Sequence, residues 1–411
     1  MLLKHGFICD SDIYKLADVR IEGGKIIEIG SLQELEGEEV IDCKNKIIIP
    51  ALIDLGIYPK NKAISLQSLR NLNQKCFLGG VGSVLLAGDT QPLLNSPSMM
   101  EWIELCNLDL GINVYPSAYG MIQKDKVADL STLHQCGASA LSVSSQDLRG
   151  HQLLVLANYA KMLDLPFLIT PCDDGLSFGV IDEGVLATKL GLPSIPEIAF
   201  TKEVATLCEI SRSLGVRMIL NLVAPDGLKI IDLFKKEGLQ VEVQVSIHHL
   251  VLDESIYEDY DTKAKIFPPL KSKLNQEKLI EFLKNHQISF LTSLQNASYN
   301  SQKDEVFELS SSGIDMISCY FSLLYTFLVK EKIISLKDLV ALASSNQARA
   351  LKLKKGAIQV GYDADLAILD LEQSFVCKDA YSPYFGKELF GKVECLLVGS
   401  KNTQGKINGS N

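Results

Sequence analysis

Between residues 47 and 350 of the chain, short apolar runs alternate with stretches in which apolar positions recur every three or four residues. The runs are Ile47–Ile53, Ser83–Ala87, Ile112–Pro116, Ser139–Val143, Pro166–Thr170, Val216–Leu222, Val241–Ile247 and Ile288–Thr292. Their brevity and their β-branched content predict buried strands. The stretches between them read as helices. "SIPEIAFTKEVATLCEISRSLG" sets Ile198, Val204, Leu207, Ile210 and Leu214 along one face. "DGLKIIDLFKKEG" offers Asp226 as an N-cap and Gly238 as a stop. Strand–helix alternation of this kind implies an α/β protein with a parallel sheet. Some eight units in about 300 residues predict a closed (β/α)8 barrel, with an open parallel sheet as the alternative.

The two ends are patterned differently. "ADVRIEGGKIIEIG" alternates on either side of a Gly23-Gly24 turn, and "GAIQVGYDADLAILDL" and "GKVECLLVGSK" also read as strands. Neither end holds enough strands to make a stable sheet alone. Residues 1–46 are therefore expected to join residues 355–411 in a small composite β-sandwich beside a barrel formed by 47–354. No low-complexity linker or internal repeat interrupts the chain.

Composition narrows the function classes. The 411 residues are 47% hydrophobic and 22% charged, with a net charge of −10, an ordinary globular balance that argues against general nucleic-acid binding. No segment approaches the uninterrupted apolar length of a membrane span, and "MLLKHGFICD" lacks the apolar region of a signal peptide. None of the 10 cysteines falls in a C-x-x-C pair, so reduced, mostly buried thiols in a cytoplasmic protein are expected.

Catalytic groups of such barrels lie at the C-terminal ends of the strands. The positions to inspect there are Gly56, Tyr58 and Lys60 after the first strand, Val143 at the fourth, Thr170-Pro171 at the fifth, Leu220-Asn221-Leu222 at the sixth and Ser293 at the eighth. Zinc takes nitrogen, oxygen or thiolate ligands. Gly, Val, Pro and Leu offer none, and no pair of metal ligands stands out.

Several stretches carry a family resemblance: "GKIIEIG", "IIIPALID", "GGVGSVLLAGDTQP", "PCDD", "VSIHHLVL", "KIFPPLK", the segment from "ISLKDLVALASSNQARA" to "DADLAILD", and above all "SPYFGKELFGKVECLLVGSK". The chain resembles the long bacterial type of dihydroorotase in the cyclic amidohydrolase superfamily, over nearly its whole length. The resemblance implies a (β/α)8 barrel with a composite sandwich from both termini. It also implies a zinc-dependent ring opening, which the matching positions do not support. The two first-strand His positions hold Gly56 and Tyr58, the bridging carboxylate position Val143, and the fifth-strand His position Pro171. The sixth-strand His position holds Leu222, and the catalytic Asp position Ser293. On the substrate side Lys60 stands for an Arg, Asp89 for an Asn and Phe267 for another Asn. Lys60 does not reproduce a bidentate fork, and Asp89 adds negative charge where an anionic substrate would lie.

The resemblance thus implies no bound cofactor, no metal-activated water and no general base at the usual place. It extends to degenerate homologues that scaffold the catalytic chain of aspartate transcarbamoylase in pyrimidine biosynthesis, so an oligomeric assembly with that partner is expected. The alternative is an active dihydroorotase or other cyclic-amide hydrolase with an atypical or metal-free site, using Asp89, Asp173, Asp174 or His249. A sensor that keeps the pocket without turnover is a third reading. His248 and His249 read as structural, Asp173 and Asp174 as a solvated loop pair, and Cys172 has no imidazole beside it by any pattern. Tyr58 and Phe267 are expected to plug the mouth.

Overall fold

The apolar run at 47–53 serves two sheets rather than one strand. In the computed structural model, which describes residues 1–123, 126–144, 150–235, 238–399 and 403–406, Ile47–Pro50 pairs with Leu366–Val376 and Phe7–Cys9. Leu52–Ile57 opens the barrel instead. The Ala51 N–H donates to the Asp365 carbonyl in the first sheet, and the next N–H, of Leu52, donates to Gly80 in the second. Both halves are buried, so periodicity alone could not mark the break.

From Leu52–Ile57 the barrel continues through Val81–Leu86, Asn113–Tyr119, Ala140–Ser142, Phe167–Ile169, Met218–Asn221, Val241–Ser246 and Phe290–Thr292. These eight strands are parallel and hydrogen-bonded in sequence order. Past the last strand the ring closes: the Tyr58 N–H donates to Gln295 at 2.9 Å and Asn61 to Ala297 at 2.6 Å. The fold is a (β/α)8 barrel. The first expected strand is split as described above, and the other seven lie at their apolar runs with ends shifted by at most three residues. Ile53, Leu55, Leu85, Leu168, Ile219 and Phe290 fill the interior, and Ala348 and Leu351 join them from the chain that follows the last barrel strand. Each such side chain contributes on the order of 2 kcal/mol by leaving water.

Local signals explain the helices. Leu66–Gly79 starts from Ser65, whose side chain accepts from the Ser68 N–H in a capping box, and stops at Gly80 in the left-handed region. Ile198–Leu214 buries Phe200, Val204, Leu207 and Cys208; Ile198, expected on the buried face, is the first residue of the helix and is 60% exposed. In Pro225–Lys235, Asp226 lies inside the first turn rather than capping it. Pro225 takes the first position, and Asp226 pairs with Lys229 at 2.6 Å. Gly238 takes φ +78° just beyond, consistent with a stop.

Chain ends and barrel entry build the second unit. A four-stranded sheet orders Lys25–Gly30, Asp18–Glu22, Leu2–Lys4 and Val40–Asp42. A six-stranded sheet orders Thr403–Lys406, Glu388–Val398, Leu366–Val376, Ile47–Pro50, Phe7–Cys9 and Tyr14–Leu16. Gly23 and Gly24, at φ +56° and +74°, turn the hairpin as the alternation predicts. Leu3, Ile8, Val19, Ile26, Ile48 and Leu366 form its core. Residues 356–365 lie outside the named strands, with Gly356 and Gly361 at positive φ. The ten cysteines are free thiols. Among the described residues no helix is long and apolar enough to cross a membrane.

Candidate functional site

Asp54 ends the fully apolar part of the first barrel strand and is completely buried. Its carboxylate accepts the Thr292 hydroxyl at 2.6 Å, the Ser293 N–H at 3.2 Å and the Ser293 hydroxyl. Burial raises its pKa to about 6, and these hydrogen bonds oppose the rise. Ser293 is thereby turned inward as a donor to Asp54, and it does not face the mouth.

Beyond Asp54 the strand ends open on a cavity of about 350 Å³. Seven of the positions singled out by the sequence line it: Gly56, Tyr58, Asp89, Val143, Thr170, Asn221 and Phe267. Gly56 takes φ +74°, and a Cβ there would stand 2.8 Å from Leu168 Cδ2. The expected plug is absent. Tyr58 is drawn against the wall, its hydroxyl donating to Asp89 at 2.6 Å while the Lys62 ammonium lies 4.2 Å above its ring. Burial and the neighbouring Asp89 hold the Tyr58 phenol well above its ordinary pKa, so it stays a donor. Phe267 sits at the rim, 39% exposed. A polar, open space remains between them.

The other singled-out positions lie elsewhere. Pro171 and Leu222 are buried outside the cavity lining, Leu222 in the main apolar core. Lys60 points away, its ammonium 4.9 Å from the Tyr299 ring. In its stead Lys62 reaches the cavity and pairs with Asp89 at 2.6 Å. Thr170, Asn221, Gln244 and Asn296 complete the polar lining. Asn221 ends an apolar strand and was among the inspected positions, whereas Gln244 alternates with valines in Val241–Ser246; Lys62 had no such signal, because only the turn at Lys60–Lys62 decides which lysine faces inward.

A zinc ion does not fit these side chains. The Asp54 oxygens are committed to three donors, and those of Asp89 to Tyr58 and to an ammonium that would repel a divalent cation. Among the described residues no three His, Cys, Asp or Glu side chains gather where they could hold a metal.

Neighbouring groups are structural in geometry. His249 donates from Nε2 to the Pro268 carbonyl at 2.9 Å and accepts the Ser246 hydroxyl at Nδ1, also at 2.9 Å. His248 Nδ1 lies 2.9 Å from the Tyr384 hydroxyl. Burial lowers their pKa values to about 3 for His248 and about 4 for His249, so both rings are neutral. Asp173 and Asp174 are half-buried, and Asp173 pairs with Lys202. Cys172 is buried, and desolvation pushes its thiol up to about 11. Asp182, in the short strand Ile181–Asp182, forms a buried ion pair with Lys271 at 2.5 Å.

A closed barrel, a sandwich built from both chain ends and a cavity at the C-terminal ends of the strands together define an amidohydrolase-type architecture. Solved structures agree on the fold. L-hydantoinase (dihydropyrimidinase) from Arthrobacter aurescens superposes with a TM-score of 0.88 at 18% identity, covering 100% of this chain and 96% of that one. D-hydantoinase from Thermus sp. gives 0.82 at 21%, covering 97% and 94%. Residues 222–406 match the amidohydrolase family. A probable dihydroorotase-like protein of Helicobacter pylori is 34% identical over 99% of both chains, and a dihydroorotase of Lactobacillus gasseri is 28% identical over 97% of both. The chain belongs to the amidohydrolase family, as one of its dihydroorotase-like members.

Proposed function

We propose that this dihydroorotase-like chain does not carry out metal-dependent ring opening, binds no zinc cofactor and serves as a structural partner of the catalytic chain of aspartate transcarbamoylase. The observation that carries the loss of chemistry is the Lys62–Asp89 pair in the mouth, beside Gly56, Tyr58 and Val143. An ammonium and a carboxylate committed to it line the mouth, and neither supplies a free ligand for a metal and its activated water. The scaffold role rests on the family resemblance alone. Elemental analysis of untreated protein, a ring-opening assay on dihydroorotate, and gel filtration with the transcarbamoylase of the same organism test it together. The expected results are substoichiometric zinc, no turnover and co-elution in a larger assembly. Separate elution would remove the scaffold role.

The open cavity favours a second reading, an active dihydroorotase or another cyclic-amide hydrolase with an atypical or metal-free site. Asp89 would then be the base, since Asp173 is tied to Lys202 and His249 is buried between two partners. Turnover that persists in chelator and disappears in Asp89→Asn would establish that reading.

A further inference from the structure

A second cavity, of about 340 Å³, opens at the other end of the barrel. Ser139, Pro166 and Arg217, the residues just before the fourth, fifth and sixth barrel strands, line it together with Ala350, Leu351 and Lys352. It shares no residue with the mouth. The strand starts of such barrels ordinarily serve stability, and a charged hollow among them needs another account.

Its donors are only partly used. Arg217 Nη2 donates to the Ala350 carbonyl at 2.9 Å, while Nη1 donates to no described residue and, unlike Nε, is not enclosed. The Lys352 ammonium gives two of its three N–H groups to Asp164, one to the carbonyl at 3.3 Å and one to the carboxylate, and keeps the third. The exposed His134 ring donates from Nδ1 to the Ala138 carbonyl at 3.2 Å, which leaves Nε2 to a ligand.

Charge favours an anion. Among the described residues that line the cavity, Asp164 is the one carboxylate, and Lys352 matches it. Nearby Glu242 has its pKa raised by burial, and Arg217 and Arg349 draw it down again without forming an ion pair with it. Arg217, Arg349 and Lys352 thus outnumber the carboxylates at this end of a chain whose net charge is −10. The remaining wall is carbon, from Leu163, Leu165, Pro166 and Leu351. A hollow of this volume and lining suits a small molecule with one charged end rather than a bare ion.

We propose that the strand-start cavity binds a small phosphate monoester, with Arg217, Lys352 and His134 around the phosphate and the leucines against an apolar body. A phosphate monoester offers three terminal oxygens where a carboxylate offers two, and the three groups come from three separate segments of the chain. The inference is independent of both readings of the mouth and of the scaffold role.

The test titrates full-length protein with phenyl phosphate, inorganic phosphate, benzoate and benzyl alcohol, read by calorimetry and by phosphorus and saturation-transfer NMR. Phenyl phosphate is expected to bind at least about tenfold more tightly than the other three and to weaken as salt is raised. Lys352→Gln and His134→Gln, at exposed side chains, should each weaken it several-fold with an unchanged melting profile. Arg217→Gln should weaken it at least about tenfold; because that change also removes a bond to Ala350, the two exposed variants decide if it unfolds. Lys62→Gln, at the mouth, should bind phenyl phosphate as the wild type does. Binding lost in Lys62→Gln and kept in Lys352→Gln and His134→Gln would put the anion at the mouth and overturn the proposal. Absence of phenyl phosphate binding at millimolar concentration overturns it too, as does equal affinity for inorganic phosphate, benzoate or benzyl alcohol.

Discussion

The Thr292 hydroxyl donates to the Asp54 carboxylate at 2.6 Å, across the seam where the last barrel strand meets the first. The bond spans nearly the whole barrel in sequence and, with Ser293, fixes the closure of the ring. Asp54→Ala would leave three buried donors without an acceptor. A loss of about 2–4 kcal/mol is expected in urea unfolding.

The same carboxyl gives a pH signature. Its folded pKa, about 6, lies above the unfolded value near 4, so the folded state holds the proton more tightly. The stabilisation is fully present below the unfolded value and is lost as pH rises through about 6. Wild type minus Asp54→Asn should therefore show a fall in unfolding free energy of up to about 3 kcal/mol across that window. A flat difference would mean that Asp54 is ionised throughout.

Lys271 and Asp182 are each almost fully buried, and the ammonium also lies 4.8 Å over the Phe200 ring. Lys271→Met strands a carboxyl already raised to about 6 by burial. A loss of about 3–5 kcal/mol is expected, with the Lys271→Met/Asp182→Leu double variant recovering most of it. Chemical denaturation of the two singles and the double reads the coupling.

His248 and His249 act in the opposite sense to Asp54. Their folded pKa values, about 3 and about 4, lie below the ordinary 6.5, so their contribution is present above 6.5 and is lost as pH falls. His249→Gln should reduce the acid slope of stability between about pH 6.5 and 4 relative to wild type. Equal slopes would show that the imidazole is not held neutral by the fold.

Placing an imidazole at the first-strand position should not create a metal site. Gly56 is at φ +74°, and any side chain there would bring its Cβ to 2.8 Å from Leu168, so Gly56→His is expected to cost about 1–3 kcal/mol. Added zinc should not raise the melting temperature of this variant or of Tyr58→His, because Lys62 and the committed Asp54 and Asp89 remain. A zinc-dependent rise in either would contradict the fit of the mouth described above.

Much of the barrel was legible because buried strands and amphipathic helices differ in period, and the alternation at 47–350 needs no tertiary information. Ile47–Ile53 misled for the same reason: a run apolar throughout cannot show that Ala51 and Leu52 give their N–H groups to different sheets. Ile198 and Asp226 missed by helix-end effects, where propensity is weakest. At the strand ends the identities of Gly56, Tyr58, Val143, Pro171 and Leu222 could be read directly, since side-chain chemistry is a property of the residue.

The sequence by itself determined the alternating architecture, the pairing of the chain ends and the identity of the groups at the strand ends. Tertiary structure alone decided where those groups point. Whether Tyr58 fills the mouth or lies along its wall depends on Asp89 and Lys62, 31 and 4 positions away along the chain, converging on one ring. Whether Ser293 faces the cavity or the core depends on Asp54 across the seam. A hydrogen bond between residues far apart in the chain leaves no periodic trace, and here such bonds turned an expected plug into a pocket.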